Sequence, residues 1–277
     1  MTIHKALQQG CALLEEAGVA VPRLTAEVLL SHALGCERAY LYGHPEAEVD
    51  EAAYIHYGRS LYERIRGKPT QYITKRQEFF GREFLVTPDV LIPRPETEHL
   101  VEAALAAAPG AQRIVDVGCG SGAIAVTLSL ERKTEVLGTD VSLPAIRVAR
   151  ENSRRLGART RFIVCDVLAC FRPRSLDLIV SNPPYVAHSE AEGMQREVRD
   201  FEPHQALFSG ETGMEIYQRL EAEAAGCLRP GGVLVMELGF RAHDAVRAML
   251  GGAWRDVRVT EDLAGIPRVI CARLRED

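Results

Sequence analysis

The sequence lacks the residue patterns that mark metal sites and disulfide frameworks. Its seven cysteines are scattered over 277 residues without a C-x-x-C pair, and its eight histidines include no H-x-x-x-H spacing. A zinc site is therefore not expected, and we predict no bound metal. The thiols are predicted to be reduced and mostly buried.

Long apolar runs and strong charge are also missing. The chain contains neither an uncharged apolar span long enough for a membrane helix nor a signal peptide after Met1, so we expect a cytoplasmic protein without a membrane partner. Its net charge is −5, and aromatic residues make up only 6% of the chain. This acidic balance disfavours stable binding to a nucleic-acid backbone. We expect the chain to act as a monomer.

Residues 1–70 are predicted to form a small helical domain. Apolar residues recur at helical spacing in three stretches, the last of which begins near Asp50, and glycine and proline signals separate them. Residues 71–95 change to short β-prone runs, beginning with Gln71–Ile73, and are predicted to form a β-hairpin connector.

Residues 96–277 alternate between strands and helices. Five apolar, strand-like runs are typical of a parallel sheet that is buried on both faces. The last β-prone runs, at Val257–Val259 and Val269–Arg273, are joined without a helical pattern and predict an antiparallel end to the sheet. Glu96 or Thr97 is expected to open the first helix by capping it. The predicted fold class is therefore α/β, Rossmann-like, with a mostly parallel seven-stranded sheet.

A glycine-rich loop follows the first strand of this domain. Residues 118–123 read GCGSGA and open a helix, and such glycines let the backbone turn sharply and let a ligand approach the helix N-terminus. The spacing also fits a dinucleotide fingerprint, so a nicotinamide enzyme is one alternative. Asp140, at the end of the second strand, fits a carboxylate that accepts both hydroxyls of a ribose. A helix N-cap is the alternative role for Asp140.

Two further acidic residues complete a predicted cofactor site. Asp166 ends the third strand, where its carboxylate is placed to accept the exocyclic amine of an adenine that lies against Val167. Asp116, inside the first strand, is placed to orient the glycine loop or to reach the ammonium of an amino-acid tail. A ligand with adenosine and an amino-acid tail is S-adenosylmethionine, the predicted cofactor. The predicted cofactor residues are Asp116, Gly118, Cys119, Gly120, Ser121, Gly122, Asp140, Asp166, Val167 and Asn182.

The run Asn182-Pro183-Pro184-Tyr185 follows the fourth strand. Proline has no N–H to donate, so the backbone must leave the sheet at Asn182. The Asn182 oxygen and the Pro183 carbonyl can then accept the two N–H bonds of a planar amino group, with Tyr185 stacked on it. A strand-ending turn is the alternative for an isolated N-P-P run. We predict that the catalytic residues are Asn182, Pro183, Pro184 and Tyr185.

Together these features resemble a class I AdoMet-dependent methyltransferase that acts on an amino group. The segments at residues 67–73 (GKPTQYI), 91–98 (LIPRPETE) and 202–210 narrow the resemblance to the PrmC/HemK family of protein-(glutamine-N5) methyltransferases. The resemblance implies that the chain methylates the glutamine amide in the Gly-Gly-Gln motif of bacterial class 1 peptide chain release factors. It also implies that substrate binding involves the N-terminal helices together with Arg94, Glu96, Asn182, Pro183, Pro184 and Tyr185.

The sequence departs from this family pattern at two places. Thr74-Lys75-Arg76 stands where the family usually has a glycine, and residues 264–268 replace a more polar segment. Both departures lie in connector or terminal segments, so we expect them to affect contacts with the protein substrate more than methyl transfer itself. The alternative enzymatic function is an adenine-N6 or guanine-N2 methyltransferase acting on nucleic acid, because Asn182-Pro183-Pro184-Tyr185 can also hold the amino group of a base.

Overall fold

The computed structural model describes residues 1–276 and divides the chain into two compact units. The helical unit comprises Met1–Arg76 and Gln195–Phe201, and the sheet unit comprises Gln77–Met194 and the chain from Glu202 onward. Within residues 1–276, every helix is too short or too polar to span a bilayer.

The secondary structure changes from helices alone to alternating strands and helices along the chain. The helices are α1 (Ile3–Glu16), α2 (Pro22–Leu34), α3 (Arg38–Gly43), α4 (Glu51–Ile65), α5 (Thr70–Thr74), α6 (Glu98–Ala107), α7 (Ala123–Arg132), α8 (Leu143–Leu156), α9 (Arg196–Phe201), α10 (His204–Leu207), α11 (Glu215–Cys227) and α12 (His243–Met249). Short 3₁₀ turns occupy Pro95–Thr97 and His188–Gly193. The strands are β1 (Arg76–Phe79), β2 (Arg82–Leu85), β3 (Ile114–Val117), β4 (Val136–Asp140), β5 (Thr160–Val164), β6 (Leu176–Ser181), β7 (Leu228–Glu237), β8 (Trp254–Glu261) and β9 (Pro267–Leu274).

The helical unit packs α1, α2 and α4 around one apolar core. The helix predicted near Asp50 is confirmed as α4, and the Asp50 side chain caps it by accepting the Ala53 N–H at 2.8 Å. Two shorter helices, α3 and α5, were not predicted, because each has too few residues to show a clear helical period. The largest buried side chains of the core are Ile3, Leu14, Leu29, Leu30, Leu41 and Tyr57.

The prediction of a β-prone run at Gln71–Ile73 is wrong, because these residues lie within α5. Pro69 precedes the helix with φ of −54°, and the Thr74 hydroxyl donates back to the Thr70 carbonyl at 3.1 Å. Tyr72 is buried in this unit with 2% exposure. Burial of one face of a short helix has outweighed the β propensity of an isolated Tyr-Ile pair. The hairpin itself is formed by β1 and β2.

The sheet unit contains a seven-stranded sheet in the order β5-β4-β3-β6-β7-β9-β8. The first five strands in this order are parallel, and β9 pairs antiparallel with both β7 and β8. The predicted α/β fold, with seven strands and an antiparallel end, is therefore confirmed. The end of the sheet is antiparallel because β8 is joined to β9 by a turn rather than by a crossover helix.

Both faces of this sheet are covered by apolar cores. Residues of β3 and β6 alternate between the two: Ile114 and Leu178 pack into the core under α6, α7 and α8, whereas Val115 and Ile179 pack into the core under α11 and α12. All four residues of β3 are buried, which explains the near-continuous apolar character of the strand. The polar residues follow the carboxyl ends of these strands, where the helices leave an open rim.

Candidate active site

The candidate site lies at the carboxyl ends of the parallel strands. After β3 the chain crosses to β4 on one side, whereas β6 lies on the other side of β3, so the crossover direction reverses between β3 and β6. In open α/β sheets ligands bind at such a reversal. A cavity of about 340 Å³ occupies this position, which is within the ordinary size of small-molecule sites.

The cavity brings together polar strand ends that are far apart in sequence. Of the residues predicted from the sequence, those on its wall are Gly118, Gly120, Asp140, Asp166, Val167, Asn182, Pro183 and Pro184. The other predicted residues lie outside its lining, namely Asp116, Cys119, Ser121, Gly122, Tyr185, Arg94 and Glu96.

The glycine loop presents bare backbone to the cavity. Gly118 and Gly120 have φ of 71° and 50°, and a Cβ built on either would meet no described atom within 4 Å. The space beside them is therefore room that a ligand can fill, and the left-handed conformation favours glycine. Gly122 differs, because a Cβ there would lie 3.1 Å from the Ala149 side chain. Its role is close packing of α7 against α8.

Cys119 and Ser121 alternate with these glycines and point into the protein. Both are buried, with 5% and 3% exposure. The Cys119 N–H donates to the Thr139 carbonyl at 2.8 Å, and the Ser121 carbonyl accepts from the Asn152 side chain at 2.9 Å. Burial raises the pKa of Cys119 well above its ordinary value, so its thiol stays neutral. Both residues anchor the loop.

Asp140 holds the loop from the end of β4. One carboxylate oxygen accepts the Gly120 N–H at 2.9 Å, and the other accepts the Ser142 N–H at 2.9 Å. Burial raises the pKa of Asp140 although these backbone donors oppose the rise. The cap of α8 is Ser142, whose hydroxyl accepts the Ala145 N–H at 3.2 Å. The Val141 N–H also favours the ionised carboxylate, and the acceptor capacity that these backbone donors leave is available to a further donor in the cavity.

Asp116 is completely buried beneath the loop. Its Oδ2 accepts the Ala125 N–H at 3.1 Å in the first turn of α7, so the residue orients the helix that follows the loop. Its Oδ1 finds no hydrogen-bond partner among residues 1–276. Burial raises the pKa of Asp116 to about 8, and the nearby Asp140 carboxylate adds to the rise.

Asp166 and Val167 form the cavity wall just after β5. The Asp166 carboxylate accepts from the Arg219 guanidinium of α11 at 2.9 Å, a contact between largely exposed groups. Val167 is buried with φ of 49°, a strained conformation for a β-branched residue. The Thr139 hydroxyl donates to its carbonyl at 3.1 Å. Arg219 also lines the cavity, and no motif in the sequence indicated this residue.

The backbone leaves the sheet at Asn182, as predicted from the two prolines that follow it, and Asn182 directly follows β6. The Asn182 amide donates from Nδ2 to the Thr97 hydroxyl at 3.2 Å. Thr97 occupies the position directly before α6, as expected, but its hydroxyl makes no capping hydrogen bond to the helix and accepts from Asn182 instead. Thr97 has helical backbone angles, with φ of −68° and ψ of −16°, whereas a capping residue is extended.

Tyr185 packs against the segment that follows β7. A Cβ on Gly239 would lie 2.7 Å from Cδ2 of the Tyr185 ring, so only glycine leaves room for the ring there. The buried Tyr217 hydroxyl fixes this segment, because it donates to the Glu237 carbonyl at 2.8 Å and accepts the Gly239 N–H at 3.0 Å. Burial raises the pKa of Tyr185 to about 12, so its phenol is neutral at physiological pH.

Glu237 is a buried carboxyl beside Asn182 that the sequence analysis missed. It is 5% exposed at the end of β7, and burial raises its pKa to about 7. The neighbouring polar side chains of Thr97 and, less strongly, of Asn182 oppose this rise. The residue ends a strand just as Asp140 does. That position was the available sequence signal, since the apolar run through Met236 is followed directly by Glu237.

Arg94 and Glu96 belong to the turn before α6. The Arg94 guanidinium binds the carboxylate of Glu202, which is buried and also accepts the Ile92 N–H at 3.2 Å. This ion pair joins two of the sequence segments on which the family resemblance rests. Glu96 lies in the 3₁₀ turn, close enough that its charge raises the pKa of both Glu237 and Tyr185. Within residues 1–276, no cluster of His, Cys, Asp and Glu could hold a metal ion.

Comparisons with known proteins agree with this arrangement. A PrmC N-terminal domain model matches residues 5–74, and a methyltransferase small domain model matches residues 96–199. Among solved structures, a methyltransferase from Pyrococcus furiosus aligns with a TM-score of 0.54 and 19% identity, covering 79% of this chain and 98% of that chain. This similarity shows a shared fold.

Full-length relatives are considerably more similar in sequence. A release factor glutamine methyltransferase from Koribacter versatilis (strain Ellin345) is 47% identical over 277 residues, covering 99% of each chain. A relative of the same name from Nitratidesulfovibrio vulgaris is 44% identical over 280 residues, covering 98% of this chain and 95% of the relative. The chain therefore belongs to the release factor glutamine methyltransferase family.

Proposed function

We propose that this protein transfers a methyl group from S-adenosylmethionine to a glutamine side-chain nitrogen in the Gly-Gly-Gln motif of bacterial class 1 peptide chain release factors. The observation that carries the proposal is that Asn182-Pro183-Pro184 lies on the same cavity wall as the glycine loop and Asp140. Close relatives that carry the name of this activity support it.

The residues around the cavity fit S-adenosylmethionine. The open space beside Gly118 and Gly120 suits a ligand that lies against bare backbone, and Asp140 has lone pairs for ribose hydroxyls. Asp116 has an unpartnered Oδ1 beneath the loop, and a ligand ammonium group nearby would favour the ionised, accepting form of this carboxyl over the neutral form that burial favours. Val167 and the Asp166 carboxylate offer an apolar surface and an acceptor for an adenine. When bound, this cofactor supplies an electrophilic methyl group on a sulfonium.

The end of the cavity that is lined by Asn182 and Pro183 must position a weak nucleophile for methyl transfer. A glutamine amide nitrogen is a poor nucleophile because its lone pair is delocalised into the carbonyl. Asn182 Oδ1 and the Pro183 carbonyl would each accept one N–H of this amide, and the Tyr185 ring would pack against its plane. The nitrogen is then held with one face toward the cofactor side of the cavity. In ideal systems positioning of this kind contributes up to about 7–11 kcal/mol.

The same two acceptors stabilise charge. As the nitrogen forms its new bond it becomes positive, and two fixed oxygen dipoles in a largely desolvated site oppose the cost of that charge. Pro183 is buried and Asn182 is partly buried, so water competes little with their oxygens. No strong base is required before the transfer, because the proton can leave the nitrogen after its pKa has fallen.

We further propose that residues 1–70 bind the release factor, that residues 71–95 connect the two parts and that residues 96–277 carry the reaction. Large apolar side chains on the helical unit, including Val21 at 66% and Tyr42 at 59% exposure, support a docking role. The double variant V21S/Y42A is expected to raise KM for release factor about tenfold, because two apolar contacts are lost. AdoMet affinity, measured by calorimetry, is expected to stay unchanged. An unchanged KM would contradict this role.

Transfer of radiolabelled methyl groups tests the proposed function. Purified release factor should be labelled, whereas its variant with alanine in place of the motif glutamine, DNA and RNA should not. Labelling of nucleic acid instead would establish the adenine or guanine alternative and overturn the proposal. The net charge of −5 disfavours that alternative. A monomeric state and a cytoplasmic location are further proposals that rest on composition and substrate class.

A further inference from the structure

Three polar side chains form a chain of contacts at the acceptor end of the cavity. Asn182 Nδ2 donates to the Thr97 hydroxyl at 3.2 Å, and the strand register that pairs Ser181 with Met236 places the Glu237 carboxyl beside Asn182. Thr97 and Glu237 are buried, with 4% and 5% exposure. Oε2 of Glu237 has no hydrogen-bond partner among residues 1–276, so this carboxyl acts on its neighbours through its charge in a site from which water is largely excluded.

The charge of Glu237 favours one orientation of its neighbours. An ionised carboxylate attracts donors, so it favours the rotamer in which the Thr97 hydroxyl proton points toward Glu237. The Thr97 oxygen is then left to accept from the Asn182 amino group, as the geometry shows. The amino group of Asn182 therefore faces Thr97 and Glu237, and its Oδ1 is free for the cavity.

This orientation matters because the two ends of an asparagine amide have nearly the same shape. A rotation of the amide by half a turn would present N–H donors to the acceptor site, where the substrate amide also presents N–H donors. Two donors facing each other form no hydrogen bond and repel. The Asn182 side chain therefore needs an external group that distinguishes its oxygen from its nitrogen.

We infer that Thr97 and Glu237 are positioning residues for methyl transfer, which hold the Asn182 amide with its oxygen toward the acceptor nitrogen. The inference rests on the proposed function and assigns two residues to it that do not touch the substrate themselves. It also explains why a carboxyl group is buried at the end of β7, where an apolar residue would cost less to bury.

The positioning depends on the charge of Glu237. Titratable and charged groups face this carboxyl from each surrounding element: Glu96 from the turn before α6, Arg268 from β9, Tyr185 after β6 and Tyr217 from α11. Burial raises the pKa of Glu237 to about 7. Below this pH the neutral carboxyl no longer favours the Thr97 rotamer that accepts from Asn182, so the reversed orientation of the amide becomes accessible. The value of kcat/KM should therefore rise with pH through about 7 and then level off.

Substitutions at Thr97 test the hydrogen-bond chain. Thr97→Val keeps the shape but removes the oxygen that accepts from Asn182, and kcat/KM for release factor should fall about 10-fold to 100-fold, the usual effect of an unsatisfied buried donor. Thr97→Ser restores the oxygen and should recover most of this loss. Thr127→Val is the matched control, because the buried Thr127 hydroxyl has no partner among residues 1–276. It should leave kcat/KM unchanged.

Two readouts separate positioning from a merely structural role. Wild type should bind release factor more tightly than a variant with glutamate at the motif, because Asn182 Oδ1 repels a carboxylate. In Thr97→Val this preference should shrink about tenfold, since the freed amide can present its N–H groups. Glu237→Gln should lose the rise of kcat/KM near pH 7. Equal losses for both substrates, together with an unchanged pH profile, would overturn the inference.

The design also separates this inference from the proposed function. If wild type methylates the motif glutamine but Thr97→Val is as active as wild type, the positioning role is wrong and the function stands. If wild type transfers no methyl group to release factor, both are wrong. AdoMet affinity measured by calorimetry should be the same in every variant, and a parallel loss of affinity would show a structural role.

Discussion

The two ends of the active-site cavity are built by different means. The cofactor half, formed by residues 118–122, Asp140 and Asp166, is shaped mainly by backbone: the Gly120 and Ser142 N–H groups hold Asp140. The acceptor half, formed by Thr97, Asn182–Tyr185 and Glu237, is shaped mainly by side chains: Asn182 binds the Thr97 hydroxyl, and Glu237 lies beside Asn182. Backbone contacts determine where a ligand lies, whereas these side-chain contacts determine which atom of Asn182 faces the substrate.

This difference predicts that binding and chemistry can be separated by mutation. A change in the acceptor half should lower methyl transfer without affecting the cofactor, because its contacts do not extend to the glycine loop. A change in the cofactor half should weaken cofactor binding first. A substitution that lowers the rate of methyl transfer and the affinity for the cofactor equally would contradict this prediction.

Asn182→Ala gives the largest expected effect and tests the acceptor half. Loss of one preorganised polar group in an active site costs about 10²–10³-fold in rate. We expect a fall of this size in kcat for release factor, with AdoMet affinity within about twofold of wild type. Single-turnover methyl transfer and titration calorimetry measure the two quantities. An equal loss of both would contradict the assigned role of Asn182.

Asp140→Ala tests the cofactor half, where we expect cofactor affinity to fall more than the rate of methyl transfer. Hydrogen bonds to a charged group contribute about 1.5–3 kcal/mol, so the Kd for AdoMet should rise about 10-fold to 100-fold. The rate at saturating cofactor should fall much less. Asp244→Ala removes an acid with a 98% exposed side chain and serves as the control. Unchanged AdoMet binding in Asp140→Ala would show that the ribose contact is wrongly assigned.

Gly239→Ala has the smallest expected effect and sharpens the role of Tyr185. The added Cβ would lie 2.7 Å from the Tyr185 ring and must displace it. Overpacking of this kind costs about 1–3 kcal/mol, and we expect KM for release factor to rise about tenfold without a change in AdoMet affinity. Gly251→Ala, where a Cβ meets no described atom within 4 Å, is the control. Identical KM values in both variants would show that the position of Tyr185 does not affect substrate binding.

Much of the fold could be predicted from the sequence, because it depends on local periodicity. Asp140 and Asn182 could be placed at the same edge of the sheet without knowledge of the strand order, because parallel strands have their carboxyl ends at one edge. The error at Gln71–Ile73 arose because three residues contain too little pattern to distinguish a strand from a helical turn.

The acceptor half could be predicted only in part, because its partners come from distant segments. Asn182 was evident from the two prolines that follow it, but its contact with Thr97 spans 85 residues. Glu237 and Gly239 act through burial and close approach, which a single sequence does not show. Arg219 contacts Asp166 across 53 residues for the same reason.

Tandem mass spectrometry of methylated release factor tests the central claim most directly. After incubation with this protein and AdoMet, the peptide containing the Gly-Gly-Gln motif should carry one added methyl group on the glutamine side-chain nitrogen. Asn182→Ala should modify this peptide about 10²–10³-fold more slowly under the same conditions. A methyl group on any other residue, or an equally modified peptide with Asn182→Ala, would contradict the account.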